Sequence, residues 1–166
     1  MTDKVILIKD NALELRYLEH NTYFISRAAA IIVQNGKLLT ANSADIPGLY
    51  YTIGGAIRLN ETSEEAIIRE VYEEVGVKLE VERPVFINER YLLVKGRKCH
   101  EIVFYYLMKS DVALEVSNGT VTDQQQETLH WLPLTELDKF NLVPPFLKTR
   151  RLDKPGALEH IISKEY

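Results

Sequence analysis

The sequence predicts an α+β domain, and three observations carry that prediction. The Asn-Gly pair at 35–36 lies between the apolar runs "AAAIIV" and "KLL", a strong local signal for a tight hairpin. Residues 78–95 alternate in strand fashion, Gly96 marks a turn, and "EIVFYYLM" at 101–108 is rich in β-prone residues. Between these strands lies one segment, 63–75, whose apolar residues recur at helical spacing.

Taken in order, residues 4–8 and 23–33 read as strands, so residues 1–22 form an N-terminal strand extension. "SADIPG" at 43–48 is a loop and "LYYTI" at 49–53 a short strand, broken by Gly54 and Gly55, which let backbone approach closely. Thr62 caps the helix, Glu65 three residues on completes a capping box, and Gly76 supplies the C-terminal stop. Ile67, Ile68, Val71 and Val75 define its buried stripe. Residues 111–126 read as a polar loop and "ETLHWLPL" as the last strand. Short helices around "TELDKF" and "LEHII" then make 135–166 a helical tail, punctuated by Pro144, Pro145 and Pro155. Without repeats, low-complexity tracts or an interdomain linker, 1–166 is expected to be a single domain.

Bulk properties narrow the function classes. Apolar residues make up 46% and charged residues 27%, and the formal charge is −4. That balance carries no electrostatic footprint for long nucleic acid or an anionic membrane. A small anionic substrate stays open, because a metal ion reverses the local sign. Cys99 is the one cysteine and reads as a packed strand residue. With no secretory apolar segment and no long apolar run, the expected location is cytoplasmic.

Glu70, Glu73 and Glu74 crowd one stretch of the helix. Residues three and four apart are neighbours on a helix, so Glu70 shares a face with both others, at a cost of about a few tenths of a kcal/mol per like-charged pair. Arg69 offsets part of this by pairing with Glu73 at i+4. Three carboxylates on about one turn form a set of hard oxygen donors suited to Mg²⁺ or Mn²⁺. The bland alternative for any one of them is a solvated acidic face.

Residues 55–77 resemble the Nudix box, G-x5-E-x7-R-E-U-x-E-E-x-G-U with U aliphatic, the signature of the Nudix hydrolase family of MutT-like pyrophosphohydrolases. Gly55, Glu61, Arg69, Glu70, Val71, Glu73, Glu74, Gly76 and Val77 fill every fixed position. The surrounding hairpin and the Trp131-bearing strand resemble the family as well. The resemblance implies an α/β/α sandwich with a mixed β-sheet and the box as loop-helix-loop. It implies divalent-metal-dependent hydrolysis of a nucleoside diphosphate linked to another moiety, giving a nucleoside monophosphate and a phosphorylated remainder. ADP-ribose-like or nucleotide-sugar substrates are favoured. Nucleoside triphosphates, oxidised ones included, are the alternative, and a non-catalytic nucleotide-binding module is a third reading. By resemblance Glu70 and Glu74 are metal ligands, Glu73 a third, and the Gly55 carbonyl contributes. Glu61, Arg69 and Gly76 orient those ligands and hold the loop-helix-loop together. Many relatives are dimers, so a homodimer is also expected.

Outside the box the roles are open. Glu127, four residues before Trp131, is a general base or a loop-end charge. Glu101 is the second candidate for that base and a candidate substrate contact, or a member of a cross-strand pair beside His100. Arg27 is a phosphate contact or a surface charge, and Tyr51, with Tyr50 beside it, stacks on a base or packs in the core. Ile53 stands where the family commonly has proline, and Ala56 begins an atypical "IRLN" loop. These departures bear on subfamily, not on the carboxylates.

Overall fold

The computed structural model describes residues 8–9, 12–19, 21–109, 111–121 and 127–166, so most of the strand expected at 4–8 lies outside the described residues. Strands β1 (Ile8–Lys9), β2 (Ala12–Leu13) and β3 (Arg16–Glu19) lead into the long β4 (Thr22–Ile31). β5 (Val33–Gln34) and β6 (Lys37–Ser43) form the Asn-Gly hairpin, with Gln34 opposite Lys37. Asn35 and Gly36 take φ of 50° and 71°, the left-handed pair that this two-residue turn requires.

β7 (Leu49–Tyr51) and β8 (Gly54–Ala56) precede helix α1 (Ser63–Val75), and β9 (Val81–Val94) and β10 (Arg97–Met108) form a long hairpin after it. β11 (Thr120–Val121), β12 (Glu127–Pro133), β13 (Asn141–Val143) and β14 (Glu159–Lys164) follow, with 3₁₀ turns at Leu134–Lys139 and Pro145–Thr149.

Among the described residues these form two six-stranded mixed sheets beside the separate β1–β2 pair. One runs β14-β9-β10-β4-β3, with β8 also on β4; the other runs β11-β12-β6-β7-β13, with β5 on β6. β4 is parallel to β10 and antiparallel to β8. Its C-terminal half, residues 28–31, is buried on both faces, as central strands of such sheets are. Ala28 and Ala30 pack with Ile67 and Val71 of α1, while Ala29 and Ile31 pack with Phe86, Val103 and Tyr105. The small residues of "RAAAII" let the helix and the second sheet approach it closely. Among the described residues no helix is long and apolar enough to cross a membrane.

α1 starts and stops where its capping signals place it. Glu65 N–H donates to Thr62, the Glu65 carboxylate accepts from the Thr62 N–H, and Gly76 closes the helix at φ 77°. The tail departs from expectation. "LEHII" is not a helix, since its residues from Glu159 on belong to β14, and "ETLHWLPL" is not the last strand, since β13 and β14 follow. The reason is pairing and alternation. β14 lies parallel to β9 with Ile161 opposite Asn88, and its burial alternates residue by residue. The buried stripe of α1 also differs at two of its four positions, since Val75 is only half-buried and Glu74 is buried beside it. Ile68 is only half-buried beside Tyr72, and Ala66 is buried in its place.

Candidate active site

The buried face of α1 runs through Ile67, Glu70, Val71 and Glu74, the i, i+3, i+4, i+7 positions that normally carry apolar residues. Ile67 and Val71 are fully buried, and Glu74 is only 9% exposed. Two of the three clustered carboxylates therefore face protein. They meet the glycine pair. β8 lies against β4 with Gly55 opposite Ala28 and Gly54 opposite Ala29. Gly54 N–H donates to Glu74 Oε1 at 3.3 Å. The Glu70 carboxylate lies over the Gly55 Cα, in the space a Cβ there would fill. Gly54 has φ 145°, and a Cβ on it would collide with the backbone of β4. Only glycine fits at 54, whereas a side chain at 55 would have to displace the Glu70 carboxylate.

Arg69 ties the loop to the helix. Its Nε and Nη2 donate to the two Glu61 oxygens at 2.7 and 2.9 Å, and Nη2 also reaches the Ala56 carbonyl at 3.2 Å. Nη1 donates to Glu70 at 2.6 Å and Glu73 at 3.3 Å. Glu61 in turn accepts from the Arg58 N–H at 2.9 Å, and Arg58 reaches Glu73 at 3.5 Å. Burial alone would raise the Glu61 carboxyl, but Arg69 and the Arg58 N–H hold it below its ordinary range.

Beside the glycine pair opens a cleft of about 280 Å³, lined by Arg27, Tyr51, Gly54, Arg90, Glu101 and Glu127 among others. Tyr51 donates to Glu127 at 2.8 Å. Arg27 donates to the Gly54 carbonyl at 3.3 Å and stands 3.9 Å from Glu101. Burial and the contact with Glu127 raise Tyr51, so its phenol is a standing proton donor.

The electrostatics at the helix are adverse without a cation. Burial pushes Glu74 well above the ordinary carboxylate range, and the charges of Glu127 and Glu70 push it further. Burial also raises Glu70, against the pull of Arg69. Among the described residues no three acidic, histidine or cysteine side chains are gathered closely enough to chelate an ion as they stand. The donor chemistry nonetheless fits a hard divalent cation: desolvated carboxylates of like charge beside a glycine whose Cα is crossed by one of them.

The residues singled out from sequence thus divide into two groups. Arg27, Tyr51, Gly54, Glu101 and Glu127 line one cleft, with Glu74 bonded to its Gly54 wall and Glu70 seated on Gly55 beside it. Glu61, Glu73 and Arg69 form the flanking ion-pair network with Arg58. Tyr50 packs edge-on against His130 and Phe140. His100 stacks on Tyr91. Arg90 was missed, although counting back from the two-residue turn at Lys95–Gly96 places it opposite Glu101.

Residues 25–151 match the family described as NUDIX domain. A CTP pyrophosphohydrolase of Escherichia coli (strain K12) is 28% identical over 123 residues, covering 72% of this chain and 84% of that protein. A protein of Mycobacterium tuberculosis (strain CDC 1551 / Oshkosh) bearing the name MutT4 is 33% identical over 85 residues, 50% of this chain but 32% of its own length. The mMutator MutT protein from Bacillus halodurans has the same fold, with a TM-score of 0.63 at 17% identity over 82% of this chain and 89% of that one. Family match, box and fold agree: the chain belongs to the NUDIX domain family, hydrolases acting on pyrophosphate bonds.

Proposed function

We propose that this chain hydrolyses a diphosphate bond in a nucleoside diphosphate linked to another moiety, with Mg²⁺ or Mn²⁺ as cofactor. The observation that carries this reading is the placement of Glu70 and Glu74 on the buried face of α1, at a glycine pair that borders a cleft containing Arg27. A merely solvated acidic face would leave both side chains in water.

Glu70, Glu74, Glu73 and the Gly55 carbonyl would hold the cation, which when bound neutralises the diphosphate and activates water. Arg69 orients Glu70 and Glu73 and, with Glu61 and the Gly76 cap, keeps loop and helix in register. Arg27, at the Gly54 end of the cleft, donates to a phosphate oxygen. Glu127 accepts the proton of the attacking water as general base, held in place by the Tyr51 phenol. Glu101 contacts the substrate away from its phosphates. Positioning and charge carry the rate, and no covalent intermediate is required.

ADP-ribose-like compounds and nucleotide sugars are the first substrate class. Nucleoside triphosphates are the second reading, favoured by the similarity to a CTP pyrophosphohydrolase over most of its length. The test is a hydrolysis panel of ADP-ribose, nucleotide sugars, dinucleoside polyphosphates, CTP, and normal and oxidised deoxynucleoside triphosphates. Each is run with Mg²⁺, with Mn²⁺ and with chelator. One class standing above the rest, with turnover lost to chelator, is expected. Silence across the panel with binding retained would instead make this a non-catalytic nucleotide-binding module.

A further inference from the structure

Arg90 reaches the cleft from β9 with its side chain only 14% exposed. Two of its nitrogens are engaged behind the cleft. Glu165, just past β14, accepts from Nε at 2.5 Å and from Nη2 at 2.8 Å. Glu165 is itself anchored, because its N–H donates to the Tyr91 carbonyl at 2.8 Å. Asn88, the preceding inward residue of β9, fixes the same segment by donating to the Ile161 carbonyl at 3.2 Å and Ser163 Oγ at 2.9 Å. The third nitrogen of Arg90, Nη1, stands 3.4 Å from Glu101 Oε2.

Glu101 is the complementary half. Its side chain is 10% exposed, and its ion-pair contacts are long, 3.4 Å to Arg90 and 3.9 Å to Arg27. A carboxylate taken out of water has about four acceptor sites, so two long contacts leave capacity for donors on a ligand. It also repels phosphate. The anionic part of a substrate therefore belongs at the glycine-pair end, and a neutral donor-bearing group belongs beside Glu101. Each nucleobase carries an N–H next to an acceptor, the edge that a carboxylate and a guanidinium side by side can match.

The geometry points to Glu101 and Arg90 as the reader of a donor–acceptor edge on the substrate's nucleobase, with Glu165 as the positioning residue that keeps Arg90 from collapsing onto Glu101. This rests on the cleft being the nucleotide site. With Glu165 removed, Arg90 turns its fork to Glu101 and consumes the acceptor, although both reading residues remain.

The test is calorimetric titration of the full chain with Mg²⁺ and CMP, UMP, GMP, AMP or ribose 5-phosphate. The readout is the ratio of the ribose 5-phosphate Kd to that of the best-bound nucleotide. Wild type should show a ratio of at least about tenfold, the worth of hydrogen bonds to charged groups. Glu165→Gln and Glu101→Gln should each reduce it by about tenfold, and Glu165→Asp, which keeps the charge on Arg90, should restore part of it. No discrimination in wild type, an unchanged ratio in Glu165→Gln, or equal losses for nucleotide and ribose 5-phosphate (a purely structural effect) would each overturn the assignment. None of these ligands has a diphosphate bond, so the outcome is independent of turnover. A silent hydrolysis panel with the ratio intact removes the hydrolase reading alone, and turnover with an unmoved ratio removes this one alone.

Discussion

The Glu70 carboxylate occupies the space that a side chain at Gly55 would need. The neighbouring position is constrained differently, because a Cβ on Gly54 meets the backbone of β4 and its φ of 145° lies outside the range of ordinary residues. Gly55→Ala should therefore displace a flexible side chain, while Gly54→Ala must move a strand. The expected outcome is a kcat reduced by about tenfold or more for Gly55→Ala with a Tm near wild type. For Gly54→Ala the loss is about 2–4 kcal/mol of unfolding free energy. Urea titration and steady-state kinetics on both variants separate the two. A Gly55→Ala protein with full activity would show that Glu70 need not lie there.

Arg69 bonds Glu61, Glu70, Glu73 and the Ala56 carbonyl at once, and its side chain is 16% exposed. Arg69→Met leaves two mostly buried carboxylates without their partner and should cost about 2–4 kcal/mol, discounted for partial exposure from the full penalty for breaking a buried pair. Lysine cannot supply the fork and should recover little. The pH dependence follows from Glu61, whose carboxyl is held below its ordinary value. Its contribution is present above the unfolded pKa and disappears as pH falls through the lower folded value. The stability gap between wild type and Arg69→Met should thus be full near neutrality and shrink below about pH 4.5. Chemical denaturation across pH measures it, and a gap that widened in acid would contradict the pairing.

Cys99 is 2% exposed, and burial, with the Glu101 charge adding to it, pushes its thiol up to about 11. At pH 8 the thiolate is scarce and shielded. Alkylation by iodoacetamide should run at least about 100-fold slower in the native chain than in urea. Comparable rates would mean that the cluster of Ile25, Ala56 and Cys99 opens readily.

The box and its helix were legible because their signals are local. Thr62, Glu65 and Gly76 mark both ends of α1 within a few residues of the backbone groups they satisfy. That Glu70 and Glu74 face inward was also readable, since they fall on the spacing of Ile67 and Val71. The wall of the cleft was less so. "LEHII" carries Leu158, Ile161 and Ile162 at a spacing that suits a helix as well as a strand, and only pairing with β9, some seventy residues upstream, decides between them. Glu165 inherits that ambiguity, so its contact with Arg90 has no local signature. Arg90 itself needed only the register of the β9–β10 hairpin, which the turn at Lys95–Gly96 determines.

Glu74 gives the most direct test of the cation. Burial raises its carboxyl well above the ordinary range, Glu127 and Glu70 add to the effect, and Gly54 N–H donates to it at 3.3 Å. Gln at this position keeps the shape and an acceptor for Gly54 but removes the charge. In chelator, Glu74→Gln should therefore melt at or above the wild-type temperature, because a buried like charge has gone. Added Mg²⁺ should then raise the wild-type Tm by ligand linkage and leave the variant almost unmoved. Turnover in the variant should fall by at least about 100-fold. The two readouts guard one another: a lost rate with an intact Mg²⁺ shift would make Glu74 a base or orienting group instead of a ligand. An intact rate would remove the metal assignment at this position altogether.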